Sequence, residues 1–320
     1  MLFCGIDTSN YTTSAALCDE DGKIIANIKI PLPVKSGERG LRQSDAVFAH
    51  IKNLPELTEK LKQSIGNGRL AAVAVSSKPR DAEDSYMPCF LSGVSAAGML
   101  AVGAGVPIYH TSHQQGHIMA AYVTSGAEAD NVIREYGSFI AFHVSGGTTE
   151  CVLVSQADIG FSIELLGGTA DLNAGQAIDR IGVALGLKFP CGPAMEVLAN
   201  NYSGKIKGLK TSVNDSLCNL SGLENNALRM INNGVAKEEV CAYVFEFIAK
   251  TLKKLAENAR EKHGNLPIVW AGGVMSNSII KSRLAELSNV YFTEPQYSAD
   301  NAAGVALICR NEYFRDHESQ

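Results

Sequence analysis

Two histidines stand four residues apart in His113-Gln114-Gln115-Gly116-His117. On a helix that spacing puts both imidazoles on one face, where they can share one metal ion. The same spacing also occurs among polar surface or capping histidines, and only a third ligand makes a metal site credible. Asp300, in Ser298-Ala299-Asp300-Asn301-Ala302-Ala303-Gly304, is the candidate, although an Asp opening a helix equally suits an N-cap. Zinc-peptidase chemistry is excluded on firmer ground. It needs H-E-x-x-H, and Gln114 stands where the glutamate would activate water.

A second kind of chemistry is suggested by three small-residue turns. Leu2–Asp7 runs into Thr8-Ser9-Asn10-Tyr11-Thr12-Thr13-Ser14, and Ser138–Val144 into Ser145-Gly146-Gly147-Thr148-Thr149-Glu150. Pro267–Trp270 enters Ala271-Gly272-Gly273-Val274, ahead of a helix from about Ser276. Glycine lets backbone N–H groups approach a phosphate, hydroxyls add donors, and a helix N-terminus attracts an anion. Each turn alone is an ordinary hairpin or a close helix–sheet packing; the three in order point to a nucleotide. A P-loop is excluded, since no G-x-x-x-x-G-K-[ST] run occurs.

These turns must be carried by a framework of strands and helices. Two strand–turn–strand units half a chain apart predict a duplicated domain. Helical spacing predicts helices over His50–Ser64, Ala174–Leu187 and Glu238–His263. Lys35–Arg42 and Lys78–Asp84 read as surface loops. Leu91–Ile108 is nearly uncharged, yet its Gly, Ala and Ser content and Pro107 predict a closely packed buried helix followed by a strand, not a membrane span. A chain of 320 residues exceeds one compact core, so two lobes sharing a cleft are expected. The lobes are predicted as residues 1–118 with about 295–320, and 119–294.

The net charge of −5 argues against a broad nucleic-acid footprint and leaves room for a local basic patch. Eight cysteines without a C-x-x-C pair read as small buried hydrophobes in a reducing compartment. With no cationic, apolar leader at Met1–Asp7, a cytoplasmic protein without membrane contact is expected.

The chain resembles the TsaD/Gcp family of tRNA threonylcarbamoyltransferases, once labelled O-sialoglycoprotein endopeptidases. The resemblance runs from Gly5-Ile6-Asp7-Thr8-Ser9 through the histidine motif and Val144-Ser145-Gly146-Gly147-x-Thr149 to Ala174-Gly175-Gln176-Ala177-Ile178-Asp179-Arg180. It continues through Leu185-Gly186-Leu187-x-Phe189-Pro190-x-Gly192-Pro193, Ser221-Gly222-Leu223 and Ala271-Gly272-Gly273-Val274-x-x-Asn277 to Asp300-Asn301-Ala302-Ala303. It implies an α/β, actin-like ATPase (ASKHA, ribonuclease H-like) fold of two duplicated lobes with a central nucleotide and metal cleft. It also implies one divalent metal ion, iron or zinc, on His113, His117 and Asp300. Adenylate or ATP is implied at Ser145, Gly146, Gly147, Asp179, Gly192 and Asn277, with Asp179 on ribose hydroxyls and Asn277 on base or sugar. The substrates implied are threonylcarbamoyl-adenylate and tRNA, with a TsaB-like or related partner protein.

Departures from the family pattern cluster where chemistry is handled. Asn10-Tyr11-Thr12-Thr13 stands for Cys-Asp-Glu-Thr, and Gly40-Leu41-Arg42-Gln43-Ser44-Asp45 for Pro-Glu-Leu-Ala-Ser-Arg. Lys78-Pro79-Arg80-Asp81-Ala82-Glu83-Asp84 replaces a Gly-Pro-Gly-Leu turn. Gln115 replaces a Glu, Thr148 a His, and Glu224 a Lys whose loss reverses a charge near any phosphate. The usual acids being absent, no catalytic residue is assigned. Three readings stay open: transfer of threonylcarbamoyl to tRNA adenosine, a paralogous carbamoyltransferase with another acceptor, and a non-catalytic nucleotide-binding partner of a true family member.

Overall fold

The structure, a computed structural model, describes residues 1–9, 11–33, 41–81, 84–157, 160–298 and 302–318, with backbone alone at 127, 128, 130, 295, 298 and 318. The chain divides into two compact units, Met1–Thr124 with Gln156–Phe161 and Asp300–Gln320, and Ser125–Ser155 with Ser162–Ala299.

The first unit opens with β1 (Leu2–Ser9), β2 (Thr12–Cys18), β3 (Ile24–Pro31), α1 (Gln43–Ile65), β4 (Leu70–Lys78), α2 (Phe90–Ala104), β5 (Ile108–Ser112) and α3 (His113–Thr124). The strands form one sheet in the order β3-β2-β1-β4-β5. The first three are antiparallel and β4 and β5 run parallel to β1. Alternation along β1 sorts its residues. Cys4 and Ile6 join Leu17, Val73, Leu57 of α1 and Ala97 of α2 in one core. Phe3 instead packs on Tyr313 and Phe314 of the C-terminal helix Ala303–Glu318. That helix comes so close that a Cβ on Gly304 would lie 1.8 Å from the Gly116 carbonyl oxygen. Only glycine permits this approach, and it seats α3, which carries the histidines, against the C-terminal helix.

Two expectations are corrected in this unit. The helix expected from His50 begins at Gln43, because Ala46 and His50 extend the buried stripe of Leu57 and Leu61 by more than a turn. Asp45 in its first turn suits the positive helix end, and Pro55 is accommodated inside it. The uncharged α2 is not fully buried. Met99 is 75% and Val102 81% exposed, while Gly93, Ala97 and Ala101 pack inward. Small residues set a close helix–sheet contact; the large ones face out. Among the described residues no helix is long and apolar enough to cross a membrane.

The second unit contains α4 (Ala127–Tyr136), β6 (Ser138–Val144), β7 (Thr149–Gln156), β8 (Phe161–Thr169), α5 (Ala174–Ala184), α6 (Gly192–Asn200), β9 (Ser212–Asn214) and β10 (Leu217–Asn219). It continues with α7 (Ser221–Asn232), α8 (Lys237–His263), β11 (Ile268–Ala271), a 3-10 turn (Gly273–Ser276), α9 (Ser278–Leu284), β12 (Val290–Phe292) and α10 (Pro295–Ser298); the C-terminal helix Ala303–Glu318 is α11. Its sheet order is β12-β11-β6-β7-β8-β10-β9, with β6 and β7 antiparallel and β11 and β12 parallel to β6. Read from β8 to β12, this repeats the order of the first sheet, which is the duplication that the paired hairpins predict. The core is built on α8, where Val240, Val244, Phe245 and Ile248 are buried, and on Trp270 stacked at 4.2 Å on Phe142. The helix expected to reach Leu187 stops at Ala184. Gly186 at φ 82° ends it, with the Leu187 N–H donating to the Gly182 carbonyl and the Gly186 N–H to that of Val183.

Candidate functional site

In the second unit, the six residues expected to seat an adenylate lie on one connected patch. Ser145 begins the turn after β6, and its Oγ accepts from the N–H groups of Gly147 (3.3 Å) and Thr148 (3.1 Å). A side chain on Gly146 or Gly147 would meet nothing within 4 Å, so the turn's outer side is open. The N-terminus of α5 is bonded to this turn. The Gly175 N–H donates to the Ser145 carbonyl at 3.1 Å, the Ala174 N–H to Thr149 Oγ1 at 2.9 Å, and Asn173 Nδ2 to the Gly147 carbonyl at 2.9 Å. A Cβ on Gly175 would stand 2.7 Å from Gly146, which makes glycine obligatory there.

One helical turn further along α5, Asp179 Oδ1 accepts from the Cys191 N–H at 2.8 Å, which draws in Gly192 at the start of α6. Burial pushes the Asp179 carboxyl up, against the lowering effect of that bond. Glu196, one turn along α6, accepts from the N–H (2.7 Å) and hydroxyl of Ser278 at the start of α9. Asn277 stands next to it, 7% exposed, with Oδ1 capping α9 by accepting from the Ile280 N–H at 3.0 Å. Its acceptor thus has a structural task in capping the helix. Gly272, at φ 99°, closes the ring, since a Cβ there would lie 2.3 Å from the Val144 carbonyl oxygen. The patch therefore sits at the carboxyl ends of the parallel strands β6 and β11, where open α/β sheets bind ligands.

In the first unit, α3 starts at His113, so both histidines occupy its first two turns on one face. Their Nε2 atoms are 3.0 Å apart and the rings meet edge-on at 4.3 Å. One cation with bonds of about 2.1 Å reaches both nitrogens at such a separation. The pair therefore offers two ligands within reach of one ion. Asp300, the third expected ligand, lies outside the described residues. Among the described residues no cluster of three His, Cys, Asp or Glu side chains is placed to hold an ion. His113 Nδ1 is 2.5 Å from Oδ2 of Asp7, a carboxylate only 1% exposed at the end of β1. Asp7 belongs to this site, and its signal in the sequence is a lone acid closing an apolar strand.

The departures from the family pattern are structurally coupled. Gln115 is buried. Its Nε2 donates to Asp81 Oδ2 at 2.8 Å and to the Phe161 carbonyl at 2.6 Å, while Oε1 accepts from the Phe161 N–H at 3.3 Å. Ser112 Oγ donates to the same Asp81 oxygen at 3.3 Å, and the Gln114 N–H to the Pro79 carbonyl at 3.0 Å. An amide at 115 can donate to the new acid at 81, whereas an ionised glutamate there would repel it. Glu224 lies in the first turn of α7, where the helix dipole favours an acid, and pairs with Arg180 at 3.3 Å. The reversed charge is thus locally balanced. Asp171 caps α7. Burial pushes its carboxyl up, but bonds from the Ser221 hydroxyl and the N–H groups of Leu220, Ser221 and Leu172 outweigh that and hold it well below the usual carboxylate range. Asn10, Gly40, Ala82, Glu83, Ala299 and Asn301 lie outside the described residues, as do residues 35–39 of the expected loop.

Comparison with known proteins identifies the family and the fold. The sequence profile of the family described as TsaD, tRNA N6-adenosine threonylcarbamoyltransferase, matches residues 23–307. A protein of that name from Sulfurihydrogenibium sp. (strain YO3AOP1) is 30% identical over 96% of this chain and 89% of its own. Among solved structures, HypF of T. kodakarensis superposes with a TM-score of 0.60 at 13% identity, covering 99% of this chain and 48% of its own. Component A of (R)-2-hydroxyglutaryl-CoA dehydratase from Acidaminococcus fermentans gives 0.56 at 15%, covering 98% and 99%. The structural likenesses establish the actin-like ATPase fold and nothing finer.

Proposed function

The chain belongs to the tRNA N6-adenosine threonylcarbamoyltransferase family, and on that premise we propose that it transfers threonylcarbamoyl from threonylcarbamoyl-adenylate to N6 of the tRNA adenosine next to the anticodon. The observation that carries the reading is the single hydrogen-bonded patch joining Ser145, Gly146, Gly147, Asp179, Gly192 and Asn277. On it, the Ser145–Gly147 turn takes the phosphate, and Asp179 accepts from ribose hydroxyls. Asn277 donates its amide to the base or sugar. The adenosine N6 attacks the carbamoyl carbon, the bond from that carbon to the adenylate oxygen breaks, AMP leaves, and N6 gives up one proton.

His113 and His117, with Asp300, are assigned to one divalent cation, iron or zinc. When bound, it supplies Lewis-acid polarisation of the phosphate and carbamoyl oxygens. The exposed apolar side chains of α2, with Phe48 and Ile51 of α1, suit a TsaB-like or related partner. A tRNA acceptor suits a cytoplasmic protein.

The test combines the purified protein with threonine, bicarbonate, ATP, an adenylate-forming enzyme and unmodified tRNA, and seeks threonylcarbamoyladenosine by mass spectrometry. Its appearance is the expected result. Tight adenylate binding without product in the partner's presence would instead support the second reading, a carbamoyltransferase with another acceptor, which the altered Asp81–Gln115 pair favours. Adenylate binding without consumption, on any acceptor, would mark a non-catalytic partner.

A further inference from the structure

We infer that Asp7 is the positioning residue of the histidine pair: it fixes the proton of His113 on Nδ1 and thereby turns the Nε2 lone pair toward a cation shared with His117. The inference rests on the metal reading above and deepens it.

Asp7 is one of the most deeply buried acids in the first unit, and each of its oxygens has a named task. Oδ1 accepts from the Ser9 N–H at 2.7 Å, which locks the carboxylate to its own strand. Oδ2 accepts from Ser76 Oγ at 3.1 Å and faces His113 Nδ1 at 2.5 Å. Both oxygens already accept, from the Ser9 N–H and the Ser76 hydroxyl, so the hydrogen in the His113 contact is assigned to Nδ1. The neutral ring then carries its lone pair on Nε2, the atom 3.0 Å from His117 Nε2. This is the arrangement in which an outer carboxylate selects the tautomer and orientation of a ligating histidine.

The sheet makes the contact possible. β1 lies beside β4, and β4 beside β5, whose end Ser112 is followed directly by His113. Asp7 and Ser76 project from neighbouring strands on the side where α3 packs, although 106 residues separate Asp7 from His113.

The experiment uses the full chain, stripped of metal by a chelator and titrated with Co²⁺ or Zn²⁺ alone against a chromophoric competitor. Wild type is compared with Asp7→Asn, Ser76→Ala and His117→Ala. Asp7→Asn is expected to weaken binding by about 10- to 100-fold. Ser76→Ala, which leaves the carboxylate in place, is expected to lose less, and His117→Ala to abolish tight binding. The visible Co²⁺ spectrum should change in Asp7→Asn. In the metal-free proteins, two-bond ¹H–¹⁵N spectra should show His113 protonated on Nδ1 in wild type and lose that preference in Asp7→Asn, with His113→Gln identifying the signal. Unchanged affinity and tautomer in a folded Asp7→Asn protein overturn the inference and leave the metal reading standing. A wild type that binds neither ion overturns both. Should Asp7→Asn not fold, Ser76→Ala decides alone: the same affinity and spectrum as wild type count against the inference.

Discussion

Gln115→Glu replaces one NH2 by oxygen and turns two donated hydrogen bonds into oxygen–oxygen contacts, at 2.8 Å to Asp81 and 2.6 Å to the Phe161 carbonyl. Two unit charges at the first distance repel by about 6 kcal/mol at an effective dielectric of about 20. Lys78, 3.4 Å from Asp81, and the 40% exposure of the Asp81 side chain reduce that figure. Protonating the new glutamate is cheaper. From a reference pKa of about 4.3, it costs about 3.7 kcal/mol at pH 7 and about 1 kcal/mol at pH 5. The neutral acid can donate one bond where the amide donated two, a further loss of about 1 kcal/mol.

The variant should therefore be destabilised by about 4–5 kcal/mol at pH 7 and about 2 kcal/mol at pH 5. The folded glutamate holds its proton above the unfolded pKa, so stability falls as pH rises from about 4.3 towards the folded pKa. Thermal unfolding of wild type and variant at both pH values reads this directly, at about 2–4 °C per kcal/mol. Gln115→Met, which loses the bonds without adding charge, should show no such pH dependence. Gln115→Glu combined with Asp81→Asn exchanges amide and acid and should recover most of the loss. An equal gap at pH 5 and 7, or a double variant no better than the single, would refute the like-charge argument.

Other consequences are directly measurable. Gly175→Ala places a methyl group 2.7 Å from Gly146 and the Ser145 carbonyl, and should weaken AMP binding by at least about tenfold in calorimetry. All eight cysteines are buried, and burial pushes the thiols of Cys4 and Cys18 up to about 12; Ellman's reagent should leave the native protein unmodified and titrate eight thiols after unfolding. His50 is fully buried, with Nδ1 2.9 Å from Thr13 Oγ1 and no hydrogen-bond partner for Nε2, and burial lowers its pKa. The unfolded chain then binds the extra proton first, so this residue's part of the stability is lost as pH falls below about 6.5. His50→Gln should flatten the urea midpoint between pH 7 and 5.

Much of this protein is written in short-range signals. Alternation and turn chemistry mark the hairpins ending at Ser9 and Val144, and the apolar run before Gly272 marks β11. Helical spacing puts His113 and His117 on one face wherever the helix lies, and the Glu238–His263 pattern matches α8 to within one residue. These depend on neighbours a few residues away, so one sequence suffices to see them. Gly186 is an equally local stop signal for α5, although the apolar periodicity continues to Leu187.

The tertiary structure decided what those residues touch. Nothing near Asp7 in the chain indicates that β4 and β5 bring Ser76 and His113 to its carboxylate. Nor does the loop after Lys78 announce that its Asp81 answers the amide at Gln115, or Glu224 that Arg180 lies opposite. Asn277 looks like a ligand contact and is also a helix cap; α2 looks uniformly buried and presents Met99 and Val102 outward. The physical reason is common to all of them. Helical and strand periodicity assign a residue to a face, but strand order and close helix packing choose its partner, and a buried charge takes its chemistry from that partner.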